Sequence, residues 1–191
     1  MRGKVIIFSA PSGSGKTTLV KWLLEQKPEL KFSISATSRQ PRGTEVNGID
    51  YHFMTPERFR TLISENAFIE YEEVYPNSFY GTLKSEVENQ LASGQHILFD
   101  VDVKGGMSIK KHFGDDALSI FVQPPSIEIL EKRLKNRGTD KESVIRERID
   151  KASYELTFAP NFDHIVVNDD LGTAKAECMT LVHSFLTANN S

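Results

Sequence analysis

Val5-Ile6-Ile7-Phe8-Ser9-Ala10-Pro11-Ser12-Gly13-Ser14-Gly15-Lys16-Thr17-Thr18 decides how the rest of the chain is read. An apolar run ends in a loop of small residues. The loop ends in Gly-Lys-Thr, and Leu19, Val20, Trp22, Leu23 and Leu24 follow in a helical pattern. The order predicts a buried strand, an anion-cradling loop and a helix N-terminus. Glycines let successive backbone N–H groups turn inward around an anion, and the helix directs its positive dipole end at the same place. In such a loop Lys16 reaches the β- and γ-phosphates as a point charge, and the Thr17 hydroxyl ligates Mg²⁺. Ala10 stands where the usual spacing has its first glycine, which requires a negative φ there. The plainer alternative is a Gly/Ser turn joining a strand to a helix.

The chain has 191 residues, with 39% hydrophobic and 26% charged, the balance of an ordinary water-soluble globular domain. Lys+Arg 23 against Asp+Glu 26 gives a formal charge of -3, which argues against a nucleic-acid coat protein. It leaves room for a local arginine cluster around a small phosphate ligand. Cys178 is the only cysteine, so no intrachain disulfide forms, in keeping with a reducing cytosol. The N-terminal apolar run is too short for a membrane span or a typical signal peptide.

Strand patterns at Lys4–Ala10, His96–Asp102, Leu118–Val122 and His164–Val167 alternate with helical patterns at Lys16–Gln26, Leu83–Ala92, Ser126–Asn136 and from about Leu171. That alternation predicts an α/β fold with a mainly parallel sheet. Between about 34 and 84 the rhythm breaks into shorter elements: a strand at Phe32–Ala36, a loop at Ser38–Asp50, a strand at Tyr51–Met54, a helix capped by Thr55-Pro56, and a strand at Phe68–Val74. This stretch reads as an inserted subdomain. The helical pair at about 126–157, with Thr139 and Glu142 as a capping box, reads as a second excursion. The last helix is expected to bury Leu171, Ala174, Cys178, Leu181, Val182 and Phe185.

Several residue groups carry candidate chemistry. Asp100 and Asp102 end a buried strand after a phosphate loop, where a carboxylate holds Mg²⁺ through water. Both face one side if the strand continues; either could instead cap the Gly105-Gly106 turn. Arg39 and Arg42 flank Pro41 on a rigid loop suited to bidentate phosphate recognition, or to nothing more than a solvated surface. Arg133, Arg137, Arg146 and Arg148 could stabilise a transferring phosphoryl group, or pair with Glu131, Glu142 and Asp150 on exposed helices. A carboxylate such as Glu70 can accept two N–H donors from a guanine edge, but composition alone does not single it out, nor Tyr51, Tyr80 and Thr82. The five histidines show no metal-ligand spacing.

Together these residues resemble the guanylate kinases, of the bacterial type, over essentially the whole chain. Ser9–Thr18 is similar to the family's phosphate loop, including the Ala-Pro-Ser start of some members. Ser33–Arg42 and Glu45–Phe53 are similar to its nucleoside-monophosphate segment. Phe68-Ile69-Glu70, Tyr80-Gly81-Thr82, Asp100-Val101-Asp102-Val103-Lys104-Gly105, Arg133-Leu134 with Arg137-Gly138-Thr139, and Val167-Asn168-Asp169-Asp170 match further blocks. Gln40, Lys104 and a longer Tyr71–Phe79 segment depart from the pattern.

The resemblance implies a P-loop NTPase-type parallel sheet flanked by helices, as a single domain over 1–191. Its core would be 1–33, 85–125 and 159–191, its GMP-binding subdomain 34–84 and its helical lid 126–158. Transfer of the γ-phosphoryl of ATP to GMP, with Mg²⁺, is the implied activity. Ala10, Pro11, Ser12, Gly13, Ser14, Gly15, Lys16, Thr17, Thr18, Arg133 and Asn168 would hold ATP. Ser35, Glu70, Thr82 and one or both of Asp100 and Asp102 would read guanine, while Arg39, Arg42, Tyr51 and Tyr80 hold the GMP phosphate. Lys16, Arg137 and Arg148, with Arg133 and Arg146, would act on the transferred phosphoryl, and Thr17 and Asp100 (through water) would serve the metal. The expected enzyme is cytoplasmic, binds neither nucleic acid nor membrane, and leaves dGMP use and oligomeric state open. Its rival is a non-catalytic guanylate-kinase-like binding module, which the intact Lys16 and Thr17 disfavour.

Overall fold

Every residue of β1 (Val5–Ser9) is buried, as expected of a strand in the interior of a parallel sheet. The computed structural model describes residues 2–136 and 142–188. After β1 come α1 (Lys16–Gln26), β2 (Leu30–Phe32), β3 (Ala36–Thr37), β4 (His52–Phe53), α2 (Pro56–Ser64), β5 (Phe68–Tyr75) and β6 (Ser78–Leu83). The chain continues through α3 (Lys84–Ala92), β7 (His96–Asp100), α4 (Val103–Phe113), β8 (Ala117–Gln123), α5 (Ile127–Asn136), α6 (Glu142–Leu156), β9 (His164–Val167) and α7 (Leu171–Thr187). A five-stranded sheet runs in the order β2-β7-β1-β8-β9 and a four-stranded one in the order β4-β3-β6-β5. β1 pairs parallel with β8, and β8 parallel with β9. The fold is α/β, with a parallel sheet flanked by helices.

Two compact units divide the chain: Met1–Lys4 with Leu30–Ile97, and Val5–Glu29 with Leu98–Ser191. In the first, the four-stranded sheet packs Ala36, Phe68 and Phe79 around Phe59 of α2, which is fully buried. Phe59 stacks on Phe68 at 4.3 Å and on Phe79 at 5.2 Å between ring centroids. Burying one such ring is worth about 1.5–3 kcal/mol. In the second, Val103, Phe121, Ala159 and Phe162 form one core cluster; Leu130, Leu134, Ile145 and Ala152 join α5 to α6 in another.

The structure departs from the local expectations at several points. The strand expected at Phe32–Ala36 is a break between β2 and β3. β6 had no separate expectation: it forms a hairpin with β5 through Pro76-Asn77, and Asn77 takes φ 64° in place of the usual glycine. The strand expected to run to Asp102 stops at Asp100, and Asp102 caps α4, its Oδ1 accepting from Gly105 N at 2.7 Å. Gly105-Gly106 is therefore helix, not turn. A Cβ on Gly106 would lie 2.5 Å from Ser9 Oγ and 3.2 Å from the Phe162 ring, so close packing there excludes a side chain. In α7, Ala174, Cys178 and Val182 are buried as expected, but Leu171 is 39% exposed at the first turn. Thr139 lies outside the described residues.

Candidate active site

The loop after β1 is shaped by its glycines. Gly13 and Gly15 take φ 96° and 93°, a region open to glycine at little cost. A Cβ on Gly15 would also stand 2.2 Å from Asn168 Nδ2. Among the described non-glycine residues only Asn66 and Asn77 have positive φ, so Ala10 meets the condition for replacing a glycine. The buried Ser14 donates to the Pro11 carbonyl from its amide at 3.2 Å and its hydroxyl at 2.9 Å. Asn168, itself buried, donates from Nδ2 to the Ser14 carbonyl at 2.7 Å. That bond fastens the loop to the end of β9. Gly15 caps α1 without a side-chain bond, so the first amides of the helix remain available to an anion.

A cavity of about 310 Å³ opens at this loop, lined by Ala10, Pro11, Ser12, Gly13, Gly15, Lys16, Thr17, Thr18, Asp102 and Glu155. Lys16 Nζ donates to the Val101 carbonyl at 3.0 Å and is ion-paired with Asp100. Arg148 on α6 donates to Ser12 Oγ at 3.5 Å, which puts one predicted arginine at the loop. Arg133 on α5 donates to the Asp169 carbonyl at 3.3 Å, beside Asn168. Arg146 is exposed on α6. Arg137 lies outside the described residues.

Glu155 is a cavity residue that sequence reasoning missed. It is 6% exposed, and burial pushes its carboxyl above the ordinary carboxylate range. Lys151, 3.8 Å away, opposes the shift and the charge of Asp102 adds to it. A signal was available: Glu155 follows Arg148 by seven residues, two helical turns on the same face.

Among the described residues no group of three or more His, Cys, Asp or Glu side chains could by itself hold a metal ion. Mg²⁺ at phosphate sites needs no such cage, since it keeps several waters and takes one or two protein oxygens plus substrate phosphates. Thr17, exposed on the cavity, and Asp100, at the end of β7, fit that donor set.

In the other unit, which holds the predicted GMP residues apart from Asp100 and Asp102, two clusters form. At the first, the Arg39 guanidinium meets the Glu45 carboxylate as a fork, Nη1 to Oε2 at 2.6 Å and Nη2 to Oε1 at 2.7 Å. Arg39 Nη1 also donates to the Gln40 carbonyl at 3.0 Å, and Nε to Tyr80 Oη at 2.9 Å. Its guanidinium lies 4.8 Å from the Tyr51 ring centroid, a cation–π stack. Tyr51 and Tyr80 meet edge to face at 6.0 Å. Glu45 Oε2 accepts in addition from Arg42 N at 2.7 Å. The bonds from Arg39 and Arg42 hold its carboxyl far down, at about 2. Glu45 had no predicted role; an acid three residues after Arg42 in a Pro/Gly loop was the only hint.

At the second place, Glu70 on β5 pairs across the hairpin with Thr82 on β6. Thr82 is 1% exposed, and its hydroxyl donates to Glu70 Oε1 at 2.6 Å. Ser35 is half-buried, its carbonyl accepting from His52 N at 2.9 Å. Asp100, in the unit of the phosphate loop, is ion-paired with Lys16, and Asp102 caps α4.

Comparison with known proteins gives the family. The family model described as guanylate kinase matches residues 2–185. The chain is 61% identical to a guanylate kinase of Bacteroides thetaiotaomicron, over 97% of this chain and 91% of that one. It is 53% identical to a guanylate kinase of Porphyromonas gingivalis, over 96% and 98%. A crystal structure of guanylate kinase from Anaplasma phagocytophilum superposes with a TM-score of 0.72 at 26% identity, covering 98% of this chain and 88% of that one. Matching from end to end in sequence and in fold, the chain belongs to the guanylate kinase family.

Proposed function

We propose that this chain transfers the γ-phosphoryl group of ATP to GMP, giving ADP and GDP. The observation that carries the reading is the preformed phosphate cradle: a glycine loop at the N-terminus of α1, with Lys16 at its end facing a 310 Å³ cavity. In this reading Ala10–Thr18 bind the ATP phosphates and Lys16 spreads positive charge over the transferring group. Arg148, with Arg133 and Arg137, adds charge there. Asn168 serves ATP by holding the loop, through its bond to Ser14. Thr17, and Asp100 through water, would hold Mg²⁺, which would supply charge neutralisation of the ATP phosphates. The GMP phosphate oxygens are already ionised, so no side chain need act as a strong base. The protein's work is alignment, charge and exclusion of water.

Arg42, Tyr51, Tyr80 and Arg39 form the acceptor-phosphate clamp in this reading; Glu70, Thr82 and Ser35 read the base. Guanine presents N1–H and an exocyclic amine side by side, and one carboxylate accepts both. Adenine presents an N1 lone pair at the matching position, which the carboxylate repels. The Thr82 bond fixes one Glu70 oxygen and so the direction of the carboxylate. Whether Asp100 or Asp102 adds to base reading is decided by the same assay applied to their asparagine variants. The cytoplasm, where both nucleotides are met, is the compartment this reading implies. No described helix is long and apolar enough to cross a membrane.

The test is kcat/KM for GMP and AMP, by ADP release, in wild type and Glu70→Gln. Sites built on buried hydrogen bonds reject the wrong partner by about 10⁴–10⁵. We expect a large loss for GMP, little change in KM for ATP, and a narrowed GMP:AMP ratio. An unchanged ratio removes Glu70 from base reading. Wild-type activity on AMP, CMP or UMP equal to that on GMP removes the proposed function itself.

A further inference from the structure

Arg39 has five N–H donors, and four have acceptors inside the protein. One N–H of Nη1 goes to Glu45 and the other to the Gln40 carbonyl, one N–H of Nη2 goes to Glu45, and Nε–H goes to Tyr80 Oη. A single Nη2–H is left. The guanidinium side that could grip two phosphate oxygens is closed by a carboxylate of matching geometry. The Arg39 side chain is 11% exposed, stacked beneath Tyr51. Its charge is balanced by Glu45, and the bond lengths, 2.6 and 2.7 Å, are those of a tight charge-assisted fork.

The consequence appears at Tyr80. A phenol has one proton to give and lone pairs to accept with. Tyr80 Oη accepts from Arg39 Nε, so its own proton is directed elsewhere, and among the described residues it meets no acceptor. Arg42 is held through its backbone N–H by the same Glu45 oxygen that binds Arg39 Nη1. One carboxylate thus fixes both the post behind Tyr80 and the turn from which Arg42 projects. The Arg42 side chain is exposed and has no ion pair among the described residues.

We propose that Glu45 is a positioning residue for the acceptor phosphate: by closing the fork of Arg39 it turns Arg39 into the support of the Tyr80 hydroxyl, so that the phosphate is met by the Tyr80 proton, Arg42 and a single Arg39 N–H rather than by a bidentate Arg39. The inference rests on the reading of this cluster as the GMP phosphate clamp. Its opposite is that Glu45 competes with the phosphate for Arg39 and must be displaced. The two differ in sign.

The experiment measures KM for GMP and for ATP in Glu45→Gln, Glu45→Asp, Tyr80→Phe, Arg42→Ala and the Glu45→Gln/Tyr80→Phe double variant, with circular dichroism to confirm each fold. A hydrogen bond to a charged group accounts for roughly 10- to 100-fold in affinity, so Tyr80→Phe should raise KM for GMP by that factor. Glu45→Gln should raise it about tenfold with KM for ATP unchanged, and by less than about twofold in the Tyr80→Phe background, because the amide oxygen can still accept from Arg42 N and only the route through Arg39 and Tyr80 is lost. Glu45→Asp keeps the charge but is too short for both nitrogens, and should fall between. A tighter GMP in Glu45→Gln overturns the proposal in favour of competition. Multiplying effects in the double variant overturn it by showing that Glu45 does not act through Tyr80. If Tyr80→Phe and Arg42→Ala both leave KM for GMP unchanged, the clamp reading itself has failed, and the proposal with it.

Discussion

Glu155 is the carboxylate whose surroundings are least suited to its charge. It lies buried at the phosphate cavity, and burial, against the partial help of Lys151, raises its carboxyl above the ordinary glutamate value. Its folded pKa lies above its unfolded one, so its contribution to stability is fully present below the unfolded value and is lost as pH rises through the folded one. Glu155→Gln keeps the shape without the charge. It should therefore raise Tm at about pH 8 and leave it unchanged near pH 4, around or below the ordinary glutamate value. Lys151 loses a partner but is 69% exposed and should cost little. Thermal melts of both proteins across that range decide it: a difference that does not grow with pH sinks the account. Glu45 is the opposite case, a carboxylate held at about 2 by two arginines, so the stability it adds is present above its ordinary 4.5 and is lost only as pH falls toward 2. Neither acid was singled out in the sequence, where each left only a weak signal of spacing. Lys16 and Thr17 were, because the conformation that presents them is written locally as glycines. The role of an acid depends on which cation or cavity the fold brings to it.

Elements show the same division between local and distant causes. α1 begins and ends where its sequence predicts, since Gly15 before it and Pro28 beyond it are local signals. β1, β8 and β9 were equally clear, being largely apolar runs. α4 was hidden because its first turn contains Gly105-Gly106, a pair that on propensity alone belongs in a turn. Its glycines answer to tertiary packing on Ser9 and Phe162, which no local pattern reveals. β6 was hidden because Asn77 makes the hairpin turn without a glycine. With two glycines in its first turns, α4 should depend on its cap more than most helices. Asp102→Ala removes the acceptor for Gly105 N and should cost about 1 kcal/mol, or roughly 2–4 °C in Tm for a chain of this size. Asp102→Asn, which can still cap, should stay close to wild type. Equal Tm values for wild type and the alanine variant would mean that packing alone holds the first turn.

At the scale of the whole molecule the two proposed binding regions fall in different compact units. The phosphate loop, Lys16, Asp100 and Arg148 belong to the unit of Val5–Glu29 and Leu98–Ser191; Arg39, Glu45, Glu70, Tyr80 and Thr82 belong to the unit containing Leu30–Ile97. That unit extends beyond the 34–84 expected of an inserted subdomain, because β2 and α3 go with it. A ligand stabilises what it binds by RT ln(1 + [L]/Kd), about 2.7 kcal/mol at a hundredfold excess over Kd. Amides that exchange only when their unit opens should then slow by about two orders of magnitude. If each unit serves one nucleotide, GMP alone should slow hydrogen exchange in β3, β5 and β6 with little effect on α1. ADP with Mg²⁺ should slow α1 and β1 with little effect on the β5–β6 hairpin. Mass spectrometry of peptides spanning 10–27 and 68–83 reads both at once. Glu70→Gln should abolish the GMP effect and spare the ADP effect, which separates loss of a ligand from loss of the fold. Equal protection of both peptides by either nucleotide alone would show that the units do not open independently, and the assignment of one nucleotide to each would have to be given up.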